Sequence, residues 1–239
     1  MNWQDFDAVL FDLDGVLTPT AEVHMQAWRD LFVDYLTTKG VVDRPYVDSD
    51  YFEHIDGKPR YDGVRSMLAS RGLTLPEGDP SDPPGTESVC ALGNRKNEFF
   101  AAVLHDDGVE PYPGSVALLD HLDGLRTLVA VVSSSKNAPA VLEAAGLAER
   151  FEVVVDGAVA AAEGLAGKPS PATYVAAAEK LGVPVARAVV VEDAVSGVAA
   201  GHDGHFGLVV GVDRGVGHDR LTRAGADVVV DDLAELVNR

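Results

Sequence analysis

The segment VLFDLDGVLTPT, residues 9–20, contains two carboxylates with one residue between them. They come directly after an apolar run and directly before a glycine. Burying a charge is costly, so Asp12 and Asp14 need a reason to follow a strand-like segment. Ligands of open parallel sheets bind beyond the carboxyl ends of the strands, where the loops diverge. Side chains two residues apart in an extended chain point to the same side. We therefore predict a strand over residues 8–11 that delivers both carboxylates to one site.

The composition limits the kinds of molecule that the protein can bind. The chain has 239 residues, of which 46% are hydrophobic, and a formal net charge of −19. A strongly acidic protein is repelled by polyanions, so we expect neither nucleic acid nor an anionic membrane as a partner. A phosphate ligand would need a local group of cations, helix N-termini or a metal ion. A soluble globular protein with a sizeable core is the expectation.

The sequence also bears on the cellular compartment. The single cysteine, Cys90, rules out an intramolecular disulfide framework. The first ten residues, MNWQDFDAVL, lack the basic start and the long apolar stretch of a secretory signal. No apolar run approaches the roughly 20 residues that span a bilayer. The cytoplasm is therefore the predicted location.

Short β-branched runs alternate with alanine-rich amphipathic stretches from about residue 109 onward. The runs predict strands at residues 128–132, 151–155, 188–192, 207–212 and 226–230. The stretches between them predict helices at residues 139–145, 171–181, 195–201 and 219–224. Apolar strands joined by helices are typical of a parallel sheet that is covered on both faces. The predicted fold class is therefore α/β, with a doubly wound, Rossmann-like parallel sheet.

Residues 20–108 have a different pattern, with little strand signal. Helical periodicity covers residues 21–36, 60–71 and 87–104, and the proline- and glycine-rich segment 76–87 predicts a loop. We interpret residues 20–108 as a helical domain inserted after the first strand. The predicted α/β core is then discontinuous and combines residues 1–19 with residues 109–239.

Polar residues follow three further core segments, and each set has its own chemistry. The second core strand ends in hydroxyl and backbone donors for phosphate oxygens, a segment ahead of a helix supplies a cation, and another strand ends in hard oxygen ligands that suit Mg²⁺. The phosphate donors are Ser133 to Ser135 with Lys136 and Asn137. The cation is Lys168, and the oxygen ligands are Glu192 and Asp193. Because the strands end at one edge of the sheet, we expect these residues to form one site with the two aspartates of residues 9–20.

Four segments, in order along the chain, resemble the four motifs of the haloacid dehalogenase superfamily of phosphotransferases. They are FDLDGVLT at 11–18, VVSSSKN at 131–137, GKPSP at 167–171 and VVVEDAVSG at 189–197. The resemblance covers nearly the whole chain, and the insert is similar to the small helical cap of that superfamily. It implies that Asp12 is a nucleophile that forms an aspartyl-phosphate and that Asp14 is a general acid/base. It also implies that Ser133 and Lys168 bind phosphate, and that Mg²⁺ is held by Asp12, the Asp14 carbonyl and Asp193, with Glu192 in support.

The insert carries four residues that look like those of the β-phosphoglucomutase branch, where cap residues grip the second phosphate of a hexose bisphosphate. They are His24, Arg60, Lys96 and Asn97. Arginine suits such a grip because its planar fork binds phosphate in a bidentate manner. The resemblance thus implies a phosphorylated sugar as the substrate and isomerisation of β-hexose 1-phosphate to hexose 6-phosphate. Further candidates for substrate binding are Ser135, Lys136 and Asn137.

Two other functions fit part of the pattern. A sugar-phosphate phosphatase of the same superfamily needs one phosphate site and uses water as the acceptor. A receiver-type phospho-acceptor domain also uses an aspartate, a hydroxyl residue, a lysine and Mg²⁺, but its acidic pair would precede the phospho-acceptor, whereas Glu192 and Asp193 come late in this chain.

One residue departs from the mutase pattern. Pro19 stands where related mutases commonly carry aspartate, and proline would stiffen the junction between core and cap. A closed cap and core favour a monomer, although no residue pattern decides the oligomeric state.

Overall fold

The structure is a computed structural model that describes residues 2–237. The chain folds into two compact units. One consists of the residues up to Pro19 together with those from Val109 onward, and the other is Thr20–Gly108. The first unit is a parallel α/β unit and the second is helical, which confirms the predicted fold class.

A six-stranded, fully parallel sheet forms the centre of the α/β unit. Its strands are β1 (Ala8–Phe11), β2 (Leu128–Val132), β3 (Val153–Val155), β4 (Ala188–Glu192), β5 (Leu208–Val212) and β6 (Val228–Val230). The order across the sheet is β3-β2-β1-β4-β5-β6, so β1 lies between β2 and β4. All predicted strands are present. The two edge strands are shorter than predicted because each has a neighbour on one side only.

Nine α-helices lie within residues 2–237. They are α1 (Thr20–Thr38), α2 (Arg60–Ser70), α3 (Val89–Asp107), α4 (Pro113–Leu125), α5 (Ala138–Ala144), α6 (Gly157–Glu163), α7 (Ala172–Leu181), α8 (Val195–Asp203) and α9 (His218–Ala224). Single helical turns occur at Trp3–Asp5, Tyr51–Ile55, Ala148–Arg150, Val185–Arg187 and Leu233–Leu236. Of the helices in this described part of the chain, none is both long enough and apolar enough to cross a membrane.

The sequence analysis does not predict α4 and α6. α4 begins at Pro113, which fits a first helical turn because the N–H that proline lacks would have no partner there. Its glycines, Gly114 and Gly124, hide the helical pattern, since glycine is a poor helix former. α6 is a short alanine-rich helix whose first N–H groups are capped by the side chain of Asp156. α6 is thus supported by its cap, whereas α4 is supported by the burial of Leu118, Leu119 and Leu122 on one face.

The central strand is the most deeply buried part of the α/β unit. All four residues of β1 are 0% exposed. One face of the sheet packs against α7 and α8 through a cluster that includes Leu10, Val132, Val190, Tyr174 and Ala177. A strand that is paired on both sides and buried on both faces is held rigidly. The residues that follow β1 therefore start from a fixed position.

The helical unit has its own hydrophobic core between α1, α2 and α3. Its largest members are aromatic, and three of them form a stack in which the rings of Trp28 and Phe32 are 5.6 Å apart and those of Phe32 and Tyr46 are 6.2 Å apart. Aliphatic residues from α2, such as Met67, complete the core. This unit therefore has the packed core expected of a domain.

The loop predicted over residues 76–87 is present and is held by side chains. The Ser88 hydroxyl caps α3 by accepting the N–H of Ala91, and it donates to Asp82 over 2.6 Å. Asn94 donates from Nδ2 to the carbonyls of Pro80 and Asp82, both over 3.0 Å. These hydrogen bonds attach the middle of the loop to the first turns of α3.

A histidine joins the loops that follow β5 and β6. Nε2 of His218 lies 2.8 Å from Oδ1 of Asp231 and 3.8 Å from Oδ2 of Asp213. The other oxygen of Asp213 accepts the N–H groups of Gly215 and Gly217, both over 2.9 Å. The hydrogen bond to Asp231 raises the pKa of His218, and burial opposes this with a smaller effect. The imidazolium form is therefore favoured in the folded protein.

We predict that this histidine stabilises the protein more in acid than in base. A pKa that folding raises stabilises the protein below the unfolded pKa, and this stabilisation is lost as the pH rises through the folded pKa. The melting temperature of the parent should exceed that of His218→Gln at about pH 5.5, and the difference should shrink by about pH 9. His105→Gln, at an exposed histidine of α3, is the control. A difference that grows toward high pH would contradict the prediction.

Candidate active site

The carboxyl ends of β1, β2 and β4 bring the predicted core residues together. The backbone pairing continues past the strands, because the N–H of Asp12 donates to the carbonyl of Val191 over 2.9 Å. In the same way the N–H of Ser133 donates to the carbonyl of Val155 over 3.0 Å. The polar side chains are thus carried by backbone that belongs to the rigid sheet.

Lys168 is the centre of the site. Its Nζ lies 2.5 Å from Oδ1 of Asp12, 2.5 Å from Oε1 of Glu192 and 3.1 Å from the carbonyl of Val132. The side chains of Lys168 and Glu192 are almost completely buried, and that of Asp12 is 11% exposed. The ring of Tyr174 lies beneath the ammonium group, 5.1 Å from Nζ. One buried cation therefore joins the ends of three strands.

Glu192 is held on both of its oxygens. Oε2 accepts the N–H of Ala194 over 2.9 Å, and Oε1 accepts the hydroxyl of Tyr174 over 3.1 Å in addition to Lys168. Gly197 on α8 leaves the space for this carboxylate, since a Cβ there would lie 1.7 Å from Oε1. A carboxylate with both oxygens engaged is suited to orienting its neighbours.

The pKa values of the central pair follow from burial and from each other. Burial raises the pKa of Asp12 well above its usual value, which the charge of Lys168 only partly offsets. Burial lowers the pKa of Lys168, but the carboxylates of Asp12 and Glu192 overcome this and raise it well above its usual value. The lysine is therefore a permanent cation.

Three buried carboxylates offer a place for a cation. Asp12, Glu192 and Asp193 each present an oxygen, and these oxygens all lie within 4.8 Å of one another. Gly15 makes room for the third, because a Cβ at this position would lie 1.9 Å from Oδ2 of Asp193. A cluster with more acids than the single lysine can neutralise, made of hard oxygen donors, fits Mg²⁺. Both oxygens of Glu192 already accept hydrogen bonds within the α/β unit.

Asp14 and the loop after β2 complete the arrangement. The hydroxyl of Ser133 donates to Oδ2 of Asp14 over 3.4 Å, and Asp14 is only partly buried. The same hydroxyl accepts the N–H of Ser135, and the Ser135 hydroxyl accepts the N–H of Asn137, both over 3.1 Å. Lys136 is exposed on this loop. The loop thus presents hydroxyl and backbone groups directly before α5 begins.

The predicted residues of the helical unit form two pairs. Lys96 is buried and contacts Nδ1 of His24. Because an ammonium group can only donate, this contact requires a neutral imidazole with Nδ1 as the acceptor. One residue further along α3, Asn97 accepts a hydrogen bond of 2.7 Å from Nη2 of Arg60. Burial lowers the pKa of Arg60, although a guanidinium group remains charged at neutral pH.

Aromatic rings surround the first of these pairs. Nζ of Lys96 lies 4.9 Å from the ring centre of Phe100 and 5.4 Å from that of Trp28. His24 stacks on Phe100 with a ring separation of 4.0 Å. A cation over aromatic faces is attracted to them, which favours a charged lysine in this buried position.

The comparison with known proteins decides the family. Residues 6–205 match the profile of the haloacid dehalogenase-like hydrolases. The chain belongs to this family. It is 47% identical to a β-phosphoglucomutase from Mycobacterium bovis over 96% of this chain and 91% of that protein. This similarity places the chain in the β-phosphoglucomutase-like branch, which confirms the family resemblance.

Solved structures of haloacid dehalogenase-like proteins share the fold. A β-phosphoglucomutase from Clostridium difficile superimposes with a TM-score of 0.78 at 24% identity, covering 97% of this chain and 93% of that one. A mutant of CbbY from Rhodobacter sphaeroides in complex with xylulose-(1,5)-bisphosphate gives a TM-score of 0.72 at 26% identity, covering 97% and 96%. The chain is therefore a haloacid dehalogenase-like enzyme, which decides against the receiver-type alternative.

Two residues of the haloacid dehalogenase-like site are missing from the sequence analysis. Tyr174 is a single aromatic residue in the alanine-rich helix α7, and by pattern it belongs to the core. Gly197 sits in the fourth motif, but its contact with Glu192 depends on how α8 packs. Each residue differs in type from what its helix favours. Tyr174 is aromatic within an alanine-rich helix, and Gly197 is a glycine inside a helix.

We predict that Lys168 contributes more to the free energy of unfolding than an exposed lysine nearby in the sequence. Lys168→Met leaves buried carboxylates without their cation and should lower the free energy of unfolding by about 3–5 kcal/mol. Lys180→Met is the control, because Lys180 pairs with Glu163 over 2.7 Å at the surface and should contribute at most about 1 kcal/mol. Urea unfolding of the parent and both variants measures the difference. Equal losses would show that the buried cluster is not a stabilising centre.

Proposed function

We propose that the protein is a Mg²⁺-dependent phosphotransferase that isomerises β-hexose 1-phosphate to hexose 6-phosphate through a phosphorylated Asp12. The observation that carries the proposal is the position of Asp12, which is held by Lys168 next to Asp193 and one residue from the Asp14–Ser133 pair. This is the minimum set for phosphoryl transfer, where positioning and charge stabilisation supply most of the catalysis. The identity with a β-phosphoglucomutase supports the hexose substrate.

In the first step an ionised oxygen of Asp12 attacks the phosphorus of a sugar phosphate. The new bond joins Asp12 to phosphorus, and the bond from phosphorus to the leaving oxygen breaks. Asp14 gives its proton to that oxygen, so the sugar leaves as an alcohol. Lys168 and the hydroxyl of Ser133 bind the phosphate oxygens. Lys168 is well suited to this, because its raised pKa keeps it charged.

A metal ion has a defined place in this scheme. When bound, Mg²⁺ would neutralise the phosphate oxygens and the carboxylate that approach each other. Asp12, the carbonyl of Asp14 and Asp193 would hold it, and Glu192 would orient this set through its contacts with Lys168 and Ala194.

In the second step the phosphoryl group moves to a different hydroxyl. Asp14 accepts the proton of that hydroxyl as its oxygen attacks phosphorus, which releases Asp12. Transfer to the 6-hydroxyl of β-hexose 1-phosphate gives a hexose bisphosphate. After the bisphosphate turns over, Asp12 takes the phosphoryl group from position 1 and leaves hexose 6-phosphate.

A mutase must also hold the phosphate that is not reacting. We assign this task to the two pairs of the helical unit, His24 with Lys96 and Arg60 with Asn97. In this proposal residues 20–108 are the cap domain, and residues 1–19 and 109–239 are the catalytic core. The charges of the two pairs support the assignment, since a buried lysine and a half-buried arginine suit a phosphate. Ser135, Lys136 and Asn137 would contact the sugar phosphate from the loop after β2. A monomer in the cytoplasm remains our prediction.

A sugar-phosphate phosphatase is the second candidate. It is favoured by the family description as hydrolases and by the CbbY structure, which holds a sugar bisphosphate. The chemistry differs only in the second step, where water replaces the sugar hydroxyl as the acceptor. The acceptor, and not the first half of the reaction, therefore separates the two candidates.

We predict that the protein converts β-glucose 1-phosphate to glucose 6-phosphate when Mg²⁺ and a catalytic amount of hexose bisphosphate are present. Glucose 6-phosphate is measured with a coupled dehydrogenase, and inorganic phosphate is measured in the same samples. Asp12→Asn should abolish both signals, because an amide does not form the acyl phosphate. Release of phosphate without glucose 6-phosphate would establish the phosphatase instead, and full activity of Asp12→Asn would refute the covalent mechanism.

A second prediction concerns the phosphate that is not reacting. Arg60→Ala should lower kcat/KM for glucose 6-phosphate formation by about tenfold or more, since a charged hydrogen bond to phosphate is lost. Arg65→Ala is the matched control on α2, because Arg65 pairs with Asp62 and Glu77 at the surface. Steady-state kinetics of both variants give the comparison. Equal effects would remove Arg60 from the binding site.

A further inference from the structure

We propose that Arg214 is a positioning residue that braces the turn carrying Asp12 and Asp14, and so prepares the metal-binding carboxylates. Arg214 lies outside the four motifs, in the loop that follows β5. The proposal rests on the proposed function, because it takes Asp12, the Asp14 carbonyl and Asp193 as the metal ligands. It adds a residue that touches neither the substrate nor the metal ion.

The guanidinium group of Arg214 connects three parts of the α/β unit. Nε donates to the carbonyl of Gly15 over 2.9 Å, across 199 residues of sequence. Nη1 donates to the carbonyl of Asp231, directly after β6, over 3.0 Å. The face of the group stacks on the ring of Tyr112, with 3.9 Å between Cζ and the ring centre. Two hydrogen bonds and one stacking contact therefore hold the guanidinium group, and Nη2 is buried without a hydrogen-bond partner among the described residues.

The turn is held at two points, by the side chain of Arg214 and by the backbone of Tyr112. Arg214 holds the carbonyl of Gly15, and the backbone N–H of Tyr112 donates to the carbonyl of Leu17 over 2.9 Å. Within the turn, the N–H of Gly15 donates to the carbonyl of Thr18 over 2.7 Å. The stacked pair of Arg214 and Tyr112 therefore links residues 15 and 17 from outside the turn.

The position of Gly15 matters to the site because it packs directly against Asp193. Its φ of +88° lies in the left-handed region, which glycine adopts without strain. A Cβ at this position would lie 1.9 Å from Oδ2 of Asp193. A rotation of the Gly15–Val16 peptide would therefore disturb the backbone of Gly15, which directly follows Asp14 and lies against Asp193. The hydrogen bond from Arg214 to the Gly15 carbonyl opposes this rotation.

Arginine suits this role better than lysine. Its planar fork reaches two carbonyls on different loops while its face stacks on an aromatic ring. A lysine could keep the charge and one hydrogen bond, but it has no planar face to stack. The two functions of the side chain can therefore be separated by substitution.

The test measures local order and metal binding without turnover. Arg214→Ala and Arg214→Lys are compared with the parent and with Arg187→Ala. Arg187 pairs with Asp7, and the two residues directly precede β4 and β1, at the amino ends of these strands. Hydrogen–deuterium exchange reports on residues 13–18, and calorimetric titration with Mg²⁺ alone reports the affinity. Arg214→Ala should exchange faster in this turn only and bind Mg²⁺ about tenfold more weakly, as outer-shell substitutions do. Arg214→Lys should fall between it and the parent, and Arg187→Ala should match the parent in both measurements.

The outcomes separate this proposal from the proposed function. If the parent binds Mg²⁺ and Arg214→Ala binds it equally well with unchanged exchange, the bracing role is refuted and the metal site stands. A parent that binds no Mg²⁺ refutes the metal assignment, and the link from Arg214 to the metal with it. Faster exchange throughout the protein in Arg214→Ala would show a general structural role and overturn the proposal. If Arg214→Ala does not fold, the same two measurements on Arg214→Lys decide.

Discussion

A single buried ammonium group organises the active edge of this protein. Lys168 pairs with both Asp12 and Glu192 and also donates to the carbonyl of Val132, so three neighbouring strands meet at one atom. Taking such charges out of water is expensive and is tolerated only where geometry and hydrogen bonding are good. The parallel sheet supplies that geometry, because β1 is paired on both sides and fully buried. Rigidity of the sheet and chemistry at its edge are therefore parts of one arrangement.

The strands and the core motifs could be predicted from the sequence because the same physical cause acts on both. A strand buried on both faces must be continuously apolar, so a polar residue at its end is conspicuous. Asp12, Ser133 and Glu192 were each visible in this way. Helix α4 was not, since its glycines and its proline obscure a pattern that tertiary packing makes helical.

Contacts between distant residues could not be predicted in the same way. Tyr174 donates to Glu192 only because α7 packs against the sheet, and nothing in the spacing of the two residues indicates this. In the helical unit, the sequence indicated Lys96 and His24 but not the rings of Trp28 and Phe100 around them. Pattern analysis finds residues that violate a local rule. It does not identify the distant residues whose contacts stabilise a buried polar group.

The position of β1 in the sheet has a consequence for the synthesis of the chain. β1 leaves the ribosome well before its two partners in the sheet, β2 and β4. Asp12 and Lys168 are separated by 156 residues, so Asp12 acquires its cation only when most of these 239 residues have emerged. Contacts of such long range form slowly. The cluster around Lys168 is thus among the last parts of the α/β unit to be assembled, and a nascent chain that ends before Lys168 leaves Asp12 without this cation.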